Sequence, residues 1–208
     1  MPDVIQQAVQ ALAYQNTLTR EGAIVCAVVV VYLLGLAWLV VVAWQRRTLT
    51  VAAAARIVAL GVLAYLVSKA LTHVIVDPRP FIEAHTRPLI PTSRDNGFPS
   101  DHTLLVGALG ASLWWIHRRW LGAFALGAVL VGLGRLGVGA HHTLDVVGSL
   151  AIAAGAALVV GLLPLPAGWQ RPILTKQRPA VARAGRSREP ERSPDAWLKT
   201  NSGGEDER

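Results

Sequence analysis

"IVCAVVVVYLLGLAWLVVVAW", residues 24–44, carries no charged side chain in 21 positions. A helix needs about 20 such residues to cross a bilayer core. Four more apolar runs follow at about 57–76, 103–117, 119–134 and 146–163. They are shorter and richer in Gly and Ala, as in helices that pack on one another rather than on lipid. Over the whole chain 52% of residues are hydrophobic and only 16% are charged, a membrane-protein composition. The expected fold is all-α: a polytopic membrane bundle of five to six helices, five of them spanning.

The remaining helix is N-terminal. In "VIQQAVQALAYQ", residues 4–15, Val4, Ile5, Ala8, Val9 and Leu12 share one helical face. That pattern predicts a helix lying along the membrane surface. No Lys or Arg precedes Arg20, so the stretch lacks the basic start of a cleavable signal. The expected organisation is an interfacial helix at 1–20, a membrane core at 21–168 and a disordered basic tail at 169–208. Cys26 is the single cysteine and falls in the first span, where it reads as a small core residue.

The formal charge of +7 is concentrated where it argues against nucleic acid. Residues 171–188 hold six Lys/Arg and no acid. A polybasic stretch just beyond a membrane helix is drawn to the anionic inner leaflet. Arg46 and Arg47 lie in the first connection, with Arg56 just beyond, and Arg118 and Arg119 lie between the third and fourth runs. Basic connections mark the cytoplasm, so these segments and the tail are expected there. The loops at 77–101 and 135–145 then meet on the opposite face.

Those two loops carry the polar residues of interest. The first opens with "DPRPF" (77–81) and closes with "FPSDHT" (98–103); the second reads "GRLGVGAHHTLD" (134–145). The prolines around Arg79 stop the preceding helix and hold that residue in a rigid extended segment. Ser100 suits a helix N-cap, and the free N–H groups of a helix start attract an anion. His102 falls in that first turn. The Arg135 fork matches phosphate oxygens. Asp145, four residues after His141, is placed to hydrogen-bond one ring nitrogen and leave the other as a nucleophile. His102 is then a second proton-handling group for the leaving oxygen. Two arginines, a helix start and two histidines point to phosphate chemistry. No metal and no cofactor is expected, because the side chains of adjacent His141 and His142 diverge and no cysteine joins them. Taken singly, Asp77 and Asp101 read as turn or cap residues, and His85, His117 and His142 as loop or interface residues.

Together the three stretches resemble the type-2 phosphatidic acid phosphatase superfamily, whose motifs run K-x6-R-P, P-S-G-H and S-R-x5-H-x3-D. Here they read "THVIVDPRP", "PSDH" and "GRLGVGAHHTLD". "DPRPF", "LIP" (89–91) and "FPSDHT" further resemble the bacitracin-resistance type of undecaprenyl-diphosphatase. The resemblance implies a phosphohistidine on His141, activated by Asp145, with His102 as acid and then base. It implies a phosphate cradle of Arg79, Ser100, Arg135 and the amides near 100–102. It also implies a polyprenyl or phospholipid phosphate as substrate, in a bacterial inner membrane with the site facing outward. Three positions depart from the motifs. The motif lysine position is Thr72, with Lys69 one turn earlier on the same face, and either fills that slot. Asp101 replaces Gly, placing an acid near the phosphate. Gly134 replaces Ser, which reads as a mild loss of one hydroxyl. Undecaprenyl diphosphate is the expected substrate, with phosphatidylglycerophosphate or phosphatidic acid as alternatives. From another class, a non-catalytic scaffold or small transporter would use the same charges. A transporter places its polar residues at mid-membrane, often with repeats, and neither is visible.

Overall fold

The computed structural model describes residues 3–174; of the tail expected at 169–208, residues 169–174 finish and follow a short 3-10 turn, Ala167–Gln170, and the rest lies outside the described residues. Among the described residues seven helices make up the fold, besides two short 3-10 turns. They are α1 (Val4–Ala13), α2 (Thr17–Trp44), α3 (Val51–Thr72), α4 (Pro80–Glu83), α5 (Asp101–Ile116), α6 (Leu121–Gly137) and α7 (Thr143–Leu162). Among the described residues there is no β-strand; one isolated antiparallel bridge pairs Thr50 with Pro172. The expected polytopic helical bundle is therefore the observed fold.

Local chemistry sets the helix starts. Asp3, Asn16 and Thr50 accept from Gln6 N (3.0 Å), Thr19 N (3.0 Å) and Ala53 N (3.1 Å), each satisfying an amide that the helix itself leaves unpaired. Two boundaries differ from the hydropathy reading. Helix α3 begins at Val51 and ends at Thr72 instead of running over 57–76. Backbone amides of residues 73–75 take the Ala70 and Leu71 carbonyls, and Asn96 Nδ2 donates to Thr72 O (3.0 Å) at the helix end and to Ile75 O (2.6 Å) just beyond it. Helix α7 begins at Thr143, which puts Asp145 in its first turn.

Four helices, counting the turn Arg118–Trp120 that leads into α6, are long and apolar enough to cross a membrane. The fifth expected span, α5, has 16 residues, and at about 1.5 Å per residue it is shorter than a hydrocarbon core of about 30 Å. It is also the central helix, packed on α2, α3, α6 and α7. Leu104 of α5 joins Leu60 and Ala64 of α3 and Ile152, Ala153 and Ala156 of α7 in one core cluster. Val106 of α5 joins Val31 of α2 and Ala128 and Val131 of α6 in another. A helix wrapped by protein need not match the lipid thickness by itself. By contrast α2 exposes Leu33, Leu36, Leu39 and Val40, a contiguous apolar surface suited to lipid rather than water.

One end of the bundle carries a ring of aromatic and cationic groups. The Arg119 guanidinium lies 5.4 Å from the Trp44 ring and 5.5 Å from Trp120, and Arg118 lies 5.6 Å from Trp114. Arg56 lies 6.0 Å from Trp115. Tryptophan rings with cations above them are the composition of a membrane–water interface.

Helix α2 crosses α6 at Gly134, alongside a wider π-helical turn, Val25–Val29. A Cβ at position 134 would overlap Ala27 N and would lie 2.7 Å from Cys26 C. The obstacle is backbone, which cannot step aside. Glycine here sets the distance between two helices, and the expectation of a mild replacement of serine is corrected. Gly134→Ala should lower the unfolding temperature in detergent, with an overpacking cost of about 1–3 kcal/mol. Gly155→Ala, where a Cβ meets nothing within 4 Å, should leave that temperature unchanged or raise it.

Candidate active site

The two polar loops meet at one end of the bundle. His141, in the short segment between α6 and α7, is 2% exposed. Its Nε2 is 3.1 Å from Arg79 Nη1 and 3.3 Å from Arg135 Nη2. Arginine does not give up its protons near neutral pH, so both guanidiniums donate and Nε2 accepts with a bare lone pair. Its Nδ1 is 3.0 Å from Gly97 O and 3.2 Å from Asp145 Oδ2. A carbonyl only accepts, so Nδ1 carries the ring proton. Backbone and charge together fix one tautomer: Nδ1–H toward Gly97 and Asp145, Nε2 open toward two cations.

Each partner is itself held. Asp145 is fully buried, and its Oδ2 also accepts from His142 N at 2.8 Å. Ser149 Oγ donates to Asp145 O (2.6 Å) and Ser100 O (3.0 Å), tying the start of α5 to the first turns of α7. Gly97 donates to Asp77 O at 2.8 Å. A Cβ on Gly97 would lie 2.9 Å from that carbonyl and 3.1 Å from Asp145 Oδ2. Only a bare backbone brings this carbonyl up to the imidazole. Arg79 is buried and engaged by Asp95 Oδ1 (2.7 Å from Nη2), Asp95 O (3.2 Å from Nε) and Ala140 O (3.1 Å from Nη1). Hydrogen bonds from Ser93 and Arg79 hold the Asp95 carboxyl below its ordinary range. Arg135, equally buried, makes no carboxylate ion pair among the described residues, and its Nε has no partner.

Of the nine residues singled out in the sequence, Arg79, Arg135, His141 and Asp145 come together directly. Ser100 is the N-cap residue of α5 and is fully buried, but its Oγ pairs with Thr103 Oγ1 at 3.1 Å and caps no amide. His102 stands half-buried in the first turn of the same helix, and Asp101 is exposed beside it. The two candidates for the lysine slot both lie apart from the cluster. Thr72 Oγ1 donates to Ser68 O (2.9 Å) and Phe98 O (3.2 Å), fastening the end of α3 to the loop. Lys69 is exposed, with Nζ 5.6 Å from the Tyr65 ring.

Several contributors were not evident from the sequence. Asp95, Asn96 and the Gly97 carbonyl act through loop geometry, which no motif spacing encodes. Asp3 Oδ2 accepts from Thr143 N (2.6 Å) and Asp3 Oδ1 from Thr143 Oγ1 (2.8 Å), so one carboxylate caps α1 and also holds the first residue of α7. Asp77 and His142, read as a turn and a loop residue, sit together: His142 Nδ1 is 3.2 Å from Asp77 Oδ1. Burial, with Asp145 close by, pushes the Asp77 carboxyl up to about 6.

The chain belongs to the PAP2 superfamily, whose family model matches residues 52–166. It is 36% identical over 105 residues to undecaprenyl-diphosphatase BcrC of Bacillus subtilis (strain 168), covering 50% of this chain and 51% of that one. It is 38% identical over 87 residues to bacitracin transport permease protein BcrC of Bacillus licheniformis, covering 42% and 39%. It is 30% identical over 105 residues to putative undecaprenyl-diphosphatase YbjG of Escherichia coli (strain K12), covering half of each. The chain thus spans about half the length of the relatives it matches. No solved structure matches it. The family and the relatives support a lipid phosphatase set in a membrane.

Burial, with Arg135 and Arg79 adding like charge, pushes the His141 imidazole down from 6.5 to about 3. Between those values the unfolded chain binds the proton that the folded chain refuses. This contribution to stability is whole above pH 6.5 and is lost as pH falls toward 3. His141→Gln should therefore flatten the acid side of the stability curve, read as a smaller drop in unfolding temperature between pH 7 and 4. An equal drop in both proteins would contradict the buried neutral imidazole.

Proposed function

We propose that the protein hydrolyses the terminal phosphate of undecaprenyl diphosphate through a phosphohistidine, releasing undecaprenyl phosphate and inorganic phosphate. The observation that carries this reading is the proton-free Nε2 of buried His141 facing Arg79 and Arg135. An arriving phosphoryl group takes over the guanidinium hydrogen bonds through its equatorial oxygens, which frees the Nε2 lone pair for in-line attack. The N–P bond forms as the bridging P–O bond breaks. Asp145 and the Gly97 carbonyl hold the Nδ1 proton and stabilise the positive ring that results. His102 donates a proton to the leaving oxygen. It then takes one from the water that cleaves the N–P bond and restores His141.

Positioning and charge stabilisation carry most of phosphoryl transfer, and the two guanidiniums supply that charge without a metal. Ser100 and the amides at the start of α5 contribute the dipole of a helix N-terminus. Lys69 and Thr72 are not given a role in the cradle, because Thr72 Oγ1 is spent on two carbonyls and Lys69 is exposed beside Tyr65. Asp101 is the exposed acid at the mouth.

The substrate must present its phosphates at the surface while its chain stays in lipid. The named relatives are undecaprenyl-diphosphatases in two cases, which favours that lipid over phosphatidylglycerophosphate or phosphatidic acid. The Trp and Arg ring, together with the basic connections, favours a cytoplasmic position for that end, with the catalytic end facing outward. Val4, Ile5 and Leu12 of α1 are exposed while Gln6 and Ala13 are buried against protein, which favours α1 lying in the outer interface with its apolar face in lipid.

Purified protein in EDTA should release phosphate from undecaprenyl diphosphate faster than from the two phospholipids, and His141→Ala should abolish release from all three. No release from any, by folded protein, would refute the phosphatase reading. Because a phosphate leaves more easily than an alkoxide, His102→Ala should cost about a hundredfold on a phosphate monoester and clearly less on the diphosphate. Equal losses would remove His102 from the leaving-group step. On the outward orientation, Arg94→Cys should react with an impermeant thiol reagent in intact cells, and labelling only after lysis would reverse it.

A further inference from the structure

We infer that Asp77, His142 and Asp145 form a site for one divalent transition-type cation, zinc or manganese in class, that shares Asp145 with the phosphate site. One ligand atom from each residue lies within 4.8 Å of the other two. Donors on a tetrahedral zinc ion, at bonds of about 2.0–2.2 Å, stand about 3.4 Å apart. Closing on a cation therefore takes side-chain movements of up to about an ångström.

The independent sign of a ligand is on Asp145. Its side chain is fully buried, yet Oδ1 has no hydrogen-bond partner. Oδ2 is spoken for by His141 and the His142 amide. A buried carboxylate oxygen without a donor calls for an explanation. His142 tells the same story from the other side. The ring stands between two carboxylates, with Nε2 3.5 Å from Glu83 Oε2, and a cation bound at Nδ1 leaves the ring proton on Nε2 toward Glu83. That Nδ1 is buried, unpartnered, and faces Asp77 Oδ1 at 3.2 Å. Two carboxylates and one imidazole converge here, and a cation takes the place of the proton that Asp77 and Asp145 otherwise share, with Glu83 behind the imidazole as carboxylates stand at metal centres.

The site has an entrance. It opens on a hollow of about 590 Å³ lined by Asp3, Asp77, Glu83, His142, Thr143, Leu144 and Val147. Its titratable groups are three acids and one histidine, so its field attracts cations. One imidazole with two carboxylates suits zinc or manganese better than magnesium or calcium, which take all-oxygen shells.

The consequence for activity rests on the phosphatase reading above. A cation on Oδ1 draws charge from the carboxylate that accepts the Nδ1 proton of His141. The imidazole becomes a weaker nucleophile, and the cation acts as a brake.

The test is a cobalt(II) titration of tag-free, EDTA-stripped protein, followed by visible ligand-field absorption, with zinc added afterwards to displace it. Wild type should bind one cobalt per chain, and Asp77→Asn and His142→Gln should each weaken binding at least tenfold. No saturable binding, or equal binding in both variants, would overturn the site and leave a protonated Asp77 as the partner of Oδ1. In phosphate release, zinc should slow wild type several-fold and leave His142→Gln unaffected; equal slowing of both would overturn the brake. Cobalt binding of the expected kind in a protein that releases no phosphate would uphold the cation site and remove the phosphatase reading.

Discussion

A neutral imidazole held between two buried guanidiniums is the interaction on which the rest of the site depends. Arg79 and Arg135 both reach His141 Nε2, and each is almost wholly removed from solvent. Burying two like charges side by side is costly unless something offsets them. Arg79 has Asp95 and the Ala140 carbonyl. Arg135 has only the imidazole among its hydrogen-bond partners in the described residues. The folded protein therefore keeps an unbalanced positive field at one point, aimed at a lone pair. An anion is what that field lacks, and the phosphate group of a lipid-phosphatase substrate is an anion.

Holding this arrangement takes most of the loop structure. Asn96 ties the end of α3 to the loop, Gly97 brings its carbonyl to Nδ1, and Ser149 ties α5 to α7. None of these groups carries chemistry of its own. They fix the imidazole from the proton-bearing side, so the only freedom left is at Nε2. The bundle beneath is correspondingly rigid, with α5 enclosed by four other helices and Gly134 setting how closely α2 and α6 cross.

The fold was largely legible because long uncharged runs have few alternatives in water or lipid. The span 24–44 lies wholly inside α2. The helix ends were less legible: α3 stops at Thr72, where hydropathy continues to Val76, and a distant asparagine side chain takes the Thr72 carbonyl. The cluster was legible through spacing, since Asp145 follows His141 by four residues and Arg135, in the last turn of α6, precedes it by six. Spacing misled at the lysine slot. Sequence distance from Arg79 says nothing about which way α3 faces, and Lys69 is exposed beside Tyr65. His142 went unnoticed for a related reason: its partners Asp77 and Glu83 come from another loop, and only the folded chain brings them close.

The double cap made by Asp3 bears on how the chain is assembled. The first residue of α7 donates its amide and hydroxyl hydrogens to a carboxylate 140 positions earlier. Asp3 caps α1 from the start, but it cannot make these further bonds until α7 has been synthesised. A chain stopped after α6 has both arginines but neither this cap nor Asp145. The order of synthesis thus keeps the cluster around His141 incomplete until α7 has been made.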